Sequence, residues 1–438
     1  MKRRFFPALA VAAFWCFLAA SLACEEYVDS SEVRARIADP WLSGELDRVA
    51  RLEPALCGDR WGSLFRVSGR RIPSAGLLEV SVVPESDPGA AGSWFLYRRL
   101  ADGQADHLVI CPSGDPSVRL VLKPDAGGPE RGRSLLDLEI RGFTACREIP
   151  VGLSLVSLYA APLSTLRNLT PKTVPWDLLE PDPSLYGNIE SAAETIAGRL
   201  GSLVYLDDGA FDENGKPVLI RDGSPQDPDA VWAAIPAGRD PAGIEGGVNC
   251  SGFAKWLVDG IVRPAAGSGL YIAPLKDKTD TPDSHFTEIY TESRDLFFAL
   301  DWTRNLASAV VTLNIGRTVR PGDSFVDVTV EPFAGSVQYS KNVGYSGREI
   351  IPLLYALAVR EPGNFYLGAV SRERGDPKLR QYHHVAAFFP YFGSDGRFTV
   401  RIFESATETP PDVFVKNNSD AYINLVRIEI PEKGYFRP

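Results

Sequence analysis

The sequence predicts an α+β protein in two parts, a small antiparallel β module followed by a larger mixed domain. Three observations predict it. Between about Cys57 and Thr165 the chain consists of short β-prone runs, "GLLEVSVVP", "SWFLYRRL", "HLVICPS" and "VRLVLKP", separated by Gly, Pro, Asp and Ser. Beyond residue 188, helical spacings such as "NIESAAETIAGRL" and "REIIPLLYALAV" are mixed with strand-like runs near the end. Between them, "GGVNCSGFAKWL" sets a solitary cysteine, Cys250, at what reads as a helix start.

Composition bounds the function. The 438 residues are 45% hydrophobic and 23% charged, ordinary for two or three globular domains. Net charge is −10, and without Lys2, Arg3 and Arg4 it becomes −13, 43 basic residues against 56 acidic ones. With no basic stripe, this balance excludes a phosphate-backbone partner, so no nucleic acid is expected.

The amino terminus reads as an export leader. Residues 1–23 combine the basic start MKRRFF with an uncharged run from Phe5 to Ala23, the pattern of a signal peptide. Ser21-Leu22-Ala23-Cys24 resembles a bacterial lipobox, with Ser where Leu is commoner, and implies lipidation of Cys24. A lipoprotein anchored in the membrane through that lipid and facing the periplasm or cell surface is the expectation. Residues 24–56 follow as a helical spacer, in which Val33, Ile37, Trp41, Leu42, Leu46 and Val49 recur near helical spacing. An oxidising compartment would permit one disulfide among Cys57, Cys111 and Cys146.

Residues 57–165 form the β-rich module, and Pro171, Pro175, Pro181 and Pro183 mark residues 166–188 as a linker. The second domain, 189–438, carries an insertion at about 265–345. Its "FDENGKPVLI" predicts a hairpin turning at Asn214-Gly215, which also accounts for Asp212, Glu213 and Asn214 better than a calcium loop does.

Chemistry concentrates on Cys250. Phe253, Ala254, Trp256, Leu257, Val258 and Ile261 give the recurrence of a helix packed on one side, with Asn249 as N-cap and Pro264 as the stop. In the first turn, unpaired N–H groups and the positive end of the helix dipole favour a thiolate. A thiolate nucleophile needs a base, and the chain has four histidines: His107, His285, His383 and His384. In "QYHHVAAFFPYFGSDGRFTVRIFES", two strands joined by a turn from Gly393 to Gly396, partners whose numbers sum to about 788 place His384 and Glu404 on one face. His383 then points to the opposite face.

These residues resemble a known family. Asn-Cys-Ser-Gly-Phe at 249–253 looks like the Asp-Cys-Ser-Gly-aliphatic motif of the NlpC family of papain-like cell-wall cysteine peptidases. "EPGNFYLGAV" is similar to that family's Pro-Gly-Asp strand, "HHVAAFF" to its His-Val strand, and "RIFESA" to the strand bearing its third polar residue. The resemblance implies a papain-like domain in which Cys250 is the nucleophile, His384 the base and Glu404 the orienting residue. It implies hydrolysis of peptidoglycan stem peptides with neither cofactor nor metal. The departures are Asn249 for Asp, Glu404 where His is commoner, and the long insertion; Tyr205 is the candidate for the family's upstream Tyr.

A rival starts from the same thiol. Cys-x-x-Phe-Ala at 250–254, His285 and Asp301 resemble the Cys, His, Asp order of the transglutaminase-like family, although Phe286 stands where Trp is usual. A non-catalytic cell-wall binding protein is the second class of function. No His-Glu-x-x-His, Cys-x-x-Cys or phosphate loop is present, and Ser346 with Glu349 reads as a capping box for the helix that follows.

Overall fold

Alternating burial along the first half of the chain builds eight strands in a sheet whose spatial order is the sequence order. They are β1 Ala55–Gly58, β2 Leu64–Ile72, β3 Leu77–Pro84, β4 Ser93–Arg99, β5 Ala105–Cys111, β6 Val118–Pro124, β7 Ser134–Ile140 and β8 Phe143–Val151. Residues Val67, Val82, Trp94, Ile110 and Leu120 sit side by side across five strands, and all are buried. Two residues along, Val80, Leu96, Leu108 and Leu122 form a second buried row. Period-2 patterning fixes this register, because a one-residue slip would turn both rows outward.

The computed structural model describes residues 29–87, 91–279, 295–321, 325–333, 337–376, 378–432 and 434–438. The expected signal peptide and Cys24 lie outside the described residues. Those up to Leu138, with Arg147–Val174, form one compact unit, and Glu139–Cys146 with Pro175–Pro438 form the other.

Two expectations for the first unit are corrected. The residues read as a spacer are part of its core: α1 (Ser31–Arg36), a π turn at Ala38–Leu42 and α2 (Leu46–Val49) bury Val33, Ile37, Trp41 and Val49. Arg34, fully buried, lies 3.3 Å over the Trp94 ring and pairs with Asp29 at 3.0 Å. The apolar spacing was therefore a packing face. No disulfide joins Cys57 to Cys111, or either of them to Cys146 of the second unit. Three short helices complete this unit: α3 (Gly128–Arg131), α4 (Leu155–Tyr159) and α5 (Leu163–Leu169).

The proline-rich segment divides at Val174/Pro175. Its second half is no free linker, because Trp176, Leu178, Leu179 and Tyr186 are buried in the second unit. There the Tyr186 hydroxyl donates to the Ala358 carbonyl at 3.1 Å, and Tyr355 donates to that of Leu178 at 2.8 Å.

Helix α6 (Gly187–Arg199) matches its expected segment. Strand β9 (Leu203–Tyr205) precedes the predicted hairpin, β10 (Gly209–Phe211) with β11 (Pro217–Leu219), which turns through Gly215 at φ +81°. After α7 (Pro228–Ala233), β12 (Gly246–Val248) pairs parallel to β9 and leads into α8 (Cys250–Ala266). Then come α9 (Ile272–Leu275), α10 (Phe298–Ile315), β13 (Tyr345–Ser346), α11 (Ile350–Arg360), β14 (Asn364–Arg374), β15 (Leu379–Phe392), β16 (Phe398–Glu404), β17 (Thr407–Thr409), α12 (Pro411–Asn417) and β18 (Tyr422–Glu429). The strands from β13 onward form one antiparallel sheet in the order β13-β18-β14-β15-β16-β17. The chain is thus α+β, with helices packed on an antiparallel sheet.

Helix α8 departs from expectation twice. Every residue from Ser251 to Val262 is buried, so it has no solvent face. Lys255 and Asp259, which a helical wheel would put in water, pair at 2.6 Å with almost no exposure, and Asp259 also accepts from the Leu270 N–H. Nor does Pro264 stop the helix, which runs on to Ala266 and ends at Gly267 in the left-handed region. A proline there leaves the Gly260 carbonyl without its helical donor. The Arg437 N–H takes that carbonyl at 2.8 Å, and the chain end packs against Gly260, where a Cβ would lie 2.5 Å from Pro438 Cα.

The expected insertion is equally built in. Helix α10 packs on α8 and the sheet, and Trp302, fully buried, donates from Nε1 to the Ser251 carbonyl at 2.9 Å. Farther along, Arg304 holds Asp327 through two hydrogen bonds of 3.1 and 2.6 Å.

Removing one partner of a buried ion pair leaves the other uncompensated, at a cost of about 3–5 kcal/mol. Lys255→Met is therefore expected to lower unfolding free energy by that order, and Lys255→Met/Asp259→Leu by less. Urea denaturation of the two variants checks this, and equal losses would contradict the pairing.

Candidate functional site

Three glycines explain why the thiol lies where it does. The first turn of α8 rests on the backbone of β10: a Cβ on Gly252 would lie 2.0 Å from the Gly209 carbonyl oxygen and 2.9 Å from Ala210 Cα. A Cβ on Gly247 would meet Leu206 Cβ at 2.3 Å, and one on Gly209 would meet the Gly247 oxygen at 2.5 Å. Gln226 clamps the approach. Buried, it accepts from Gly247 N–H at 2.8 Å and donates to the carbonyls of Gly247, Ala210 and Val218 at 2.7, 3.0 and 3.1 Å.

Asn249 caps the helix as expected, its Oδ1 accepting from the Gly252 N–H at 2.8 Å, while its own N–H donates to Gly209 at 3.0 Å. The cap takes the third N–H of the helix. Those of Cys250 and Ser251, by their position, have no intrahelical acceptor.

Opposite the thiol stands His384. Its Nε2–H donates to Glu404 Oε2 at 2.7 Å, and the ring lies near enough to the Cys250 side chain for the sulfur to bear on its charge, with Nδ1 the nitrogen left for it. Glu404 is fixed in turn by Thr409, whose hydroxyl donates to Oε1 at 2.7 Å. The two-residue turn between β16 and β17 holds Ser405 and Ala406 at φ +50° and +62°, where non-glycine residues are strained by about 1 kcal/mol each. Strain of this kind collects at functional sites.

The β15–β16 register differs from expectation by two residues. Partners run from Ala387 with Phe403 to Phe392 with Phe398, so their numbers sum to 790. A shift of two keeps every side chain on its face. His384 and Glu404 accordingly meet along a diagonal.

Burial disfavours charge on the His384 ring, yet the sulfur of Cys250 as thiolate and the Glu404 carboxylate outweigh it and raise its pKa from 6.5 to about 10. Burial likewise pushes the Glu404 carboxyl up, but its bonds to His384 and Thr409 hold it below the ordinary value. The site favours an imidazolium beside a carboxylate.

His383 is not on the opposite face. The β14–β15 register skips between Val370, paired with His384, and Ser371, paired with Tyr382, so His383 is the extra residue of a β-bulge. A bulge re-aims a side chain, and this one brings His383 to the cavity that holds Cys250. That cavity, about 420 Å³, is also lined by Asp207, Asp208, Arg221, Gln381 and Tyr382. None of these was legible as a site residue; a skipped register leaves no mark in sequence, and Asp-Asp-Gly reads as a turn.

Of the rival set, His285 lies outside the described residues. Asp301 is buried in the first turn of α10, where its Oδ1 accepts from the N–H and hydroxyl of Thr279 at 2.9 and 2.7 Å, and burial raises its pKa to about 6. Tyr205, 58% exposed on β9, does not line the cavity. His107 stacks on Tyr97 in the first unit's sheet. Among the described residues no group of His, Cys, Asp and Glu could hold a metal ion.

Residues 24–178 match a family model described as a domain of unknown function (DUF8515), which does not reach Cys250. No curated protein and no solved structure matches the chain.

A His whose folded pKa is raised stabilises the protein fully below its unfolded value. That contribution is lost as pH climbs from 6.5 through about 10. Glu404→Gln removes one of the two groups that raise it, so the His384 midpoint is expected to fall. Titration of the histidine ring resonances by NMR checks this, and an unchanged midpoint would contradict the Glu404 contact.

Proposed function

We propose that this protein is an exported cysteine hydrolase that cleaves peptidoglycan stem peptides through an acyl-enzyme on Cys250. The observation that carries the reading is His384, bonded to Glu404 at 2.7 Å and set beside Cys250 so that the sulfur bears on its charge. A nucleophile at the N-terminus of a buried helix, packed against the strand that carries its base, is also the arrangement that a papain-like domain requires.

In this reading the Cys250 proton already rests on Nδ1 of His384, and the thiolate attacks an amide carbonyl carbon. A C–S bond forms, and the carbonyl oxygen takes the negative charge near the first-turn N–H groups of Cys250 and Ser251. His384 then gives its proton to the departing nitrogen as the C–N bond breaks. Water attacks the thioester next, losing a proton to His384, and the C–S bond breaks to return the thiol. Glu404 holds the ring in one tautomer throughout, as the third member of such a set does.

The cell-wall substrate rests on the motif resemblance together with the export leader. Attachment through a lipid on Cys24 would keep the site close to the wall. No helix among the described residues is long and apolar enough to cross a membrane.

Cys250→Ala is expected to abolish muropeptide hydrolysis with the fold intact, and His384→Ala to lower kcat/KM by roughly 10²–10⁴-fold. Product analysis by mass spectrometry decides, and near wild-type turnover by Cys250→Ala would contradict the assignment. Because His384 must hold a proton for the leaving nitrogen, kcat/KM should persist above pH 8 and fall as pH nears 10; a fall centred near 6.5 would be inconsistent with the raised pKa. If Cys24 is the lipidated residue, the mature protein partitions into detergent and Cys24→Ala does not.

A further inference from the structure

The bulge in β15 presents a second imidazole to the thiol cavity, and the mechanism does not use it. The state of that ring is fixed by its surroundings. Its Nδ1 lies 3.4 Å from the Gln381 carbonyl, which only accepts, so Nδ1 carries the hydrogen. Nε2 is then a lone-pair acceptor, and it has no protein partner among the described residues. Burial, with Arg374 and Arg372 nearby, lowers the His383 pKa to about 4, so the ring is neutral at ordinary pH. Arg374 and Arg372 do not line the cavity, and Arg372 is paired with Asp420 at 3.1 Å.

The opposite lining is also rich in acceptors. Asp208, held at φ +61° with its Oδ1 accepting from Arg221 N–H, keeps Oδ2 buried and without a hydrogen bond. Its neighbour Asp207 is exposed and makes no ion pair among the described residues. Arg221, the one cation of the lining, is 62% exposed and shared between Asp208 at 3.5 Å and Asp222 at 3.8 Å. The lining therefore carries one negative charge in excess, two aspartates against one arginine.

We propose that His383 is a specificity-determining residue, whose Nε2 accepts a hydrogen bond from a primary ammonium of the bound substrate while Asp207 and Asp208 supply the countercharge. This rests on the hydrolase reading for the identity of the substrate, but binding tests it without turnover. His383 takes no part in bond making; it selects which amide reaches Cys250.

The full mature chain carrying Cys250→Ala is titrated calorimetrically with a muropeptide whose diamino-acid side-chain amine is free, and with the same muropeptide after acetylation of that amine. A charge-assisted hydrogen bond predicts that the free form binds at least about tenfold tighter. In the same background His383→Ala and Asp208→Asn should each shrink that preference, while His383→Gln, which keeps an acceptor oxygen, retains part of it. Equal affinity for the two forms, or no measurable binding of either, overturns the inference. Failure of the wild-type protein to hydrolyse either form, with the binding preference intact, counts against the hydrolase reading and supports the pocket.

Discussion

The imidazole of His384 is fixed by Glu404 beside the Cys250 thiol, and the rest of the site is arranged to keep it there. One nitrogen is fixed by a carboxylate 2.7 Å away, itself held by Thr409 across a strained two-residue turn. The other faces a thiol whose position is set by the contact of Gly252 with the β10 backbone. Together they define its tautomer, its orientation and its raised pKa.

The thiol end stays fixed because its helix is buried on every side. Burying α8 from Ser251 to Val262 requires that its charges find partners inside, which Lys255 and Asp259 do for each other. It also requires a cover, and α10 supplies one, with Trp302 donating to the carbonyl of Ser251, the residue next to Cys250. At its far end the carbonyl freed by Pro264 is taken by Arg437. The helix is thus tied near its start by the region expected to be an insertion and near its end by the chain terminus. A thiol carried on so constrained an element is held in one place, which is the preorganisation that the proposed attack needs.

Local chemistry was legible in the sequence, and long-range packing was not. Asn249 reads as an N-cap because its side chain acts within one turn, and the hairpin through Gly215 reads because the turn needs a positive φ there. The pairing of His384 with Glu404 was legible to within two residues, since period 2 preserves the face whenever the slip is even. A bulge changes that parity, so His383 moved to the cavity with nothing in its neighbours to announce it. Charge in a helical sequence looks like a solvent face until a partner is known, as at Lys255, and proline looks like a stop until another donor is found, as at Pro264. The spacer and linker expectations failed for the same reason. Apolar spacing at Val33, Ile37 and Trp41, and proline density after Pro175, say that a segment packs or extends, but not against what.

On the proposed function, Cys250 carries the acyl group of a cell-wall peptide during turnover. The most direct measurement is intact-protein mass spectrometry of wild-type enzyme quenched in acid within the first turnover on a purified muropeptide, followed by peptide mapping. The claim predicts a transient mass increase equal to the acyl half of the substrate, located on Cys250 and absent after prolonged incubation. Hydrolysis without any adduct, in a protein whose Cys250 stays alkylatable throughout, would contradict it.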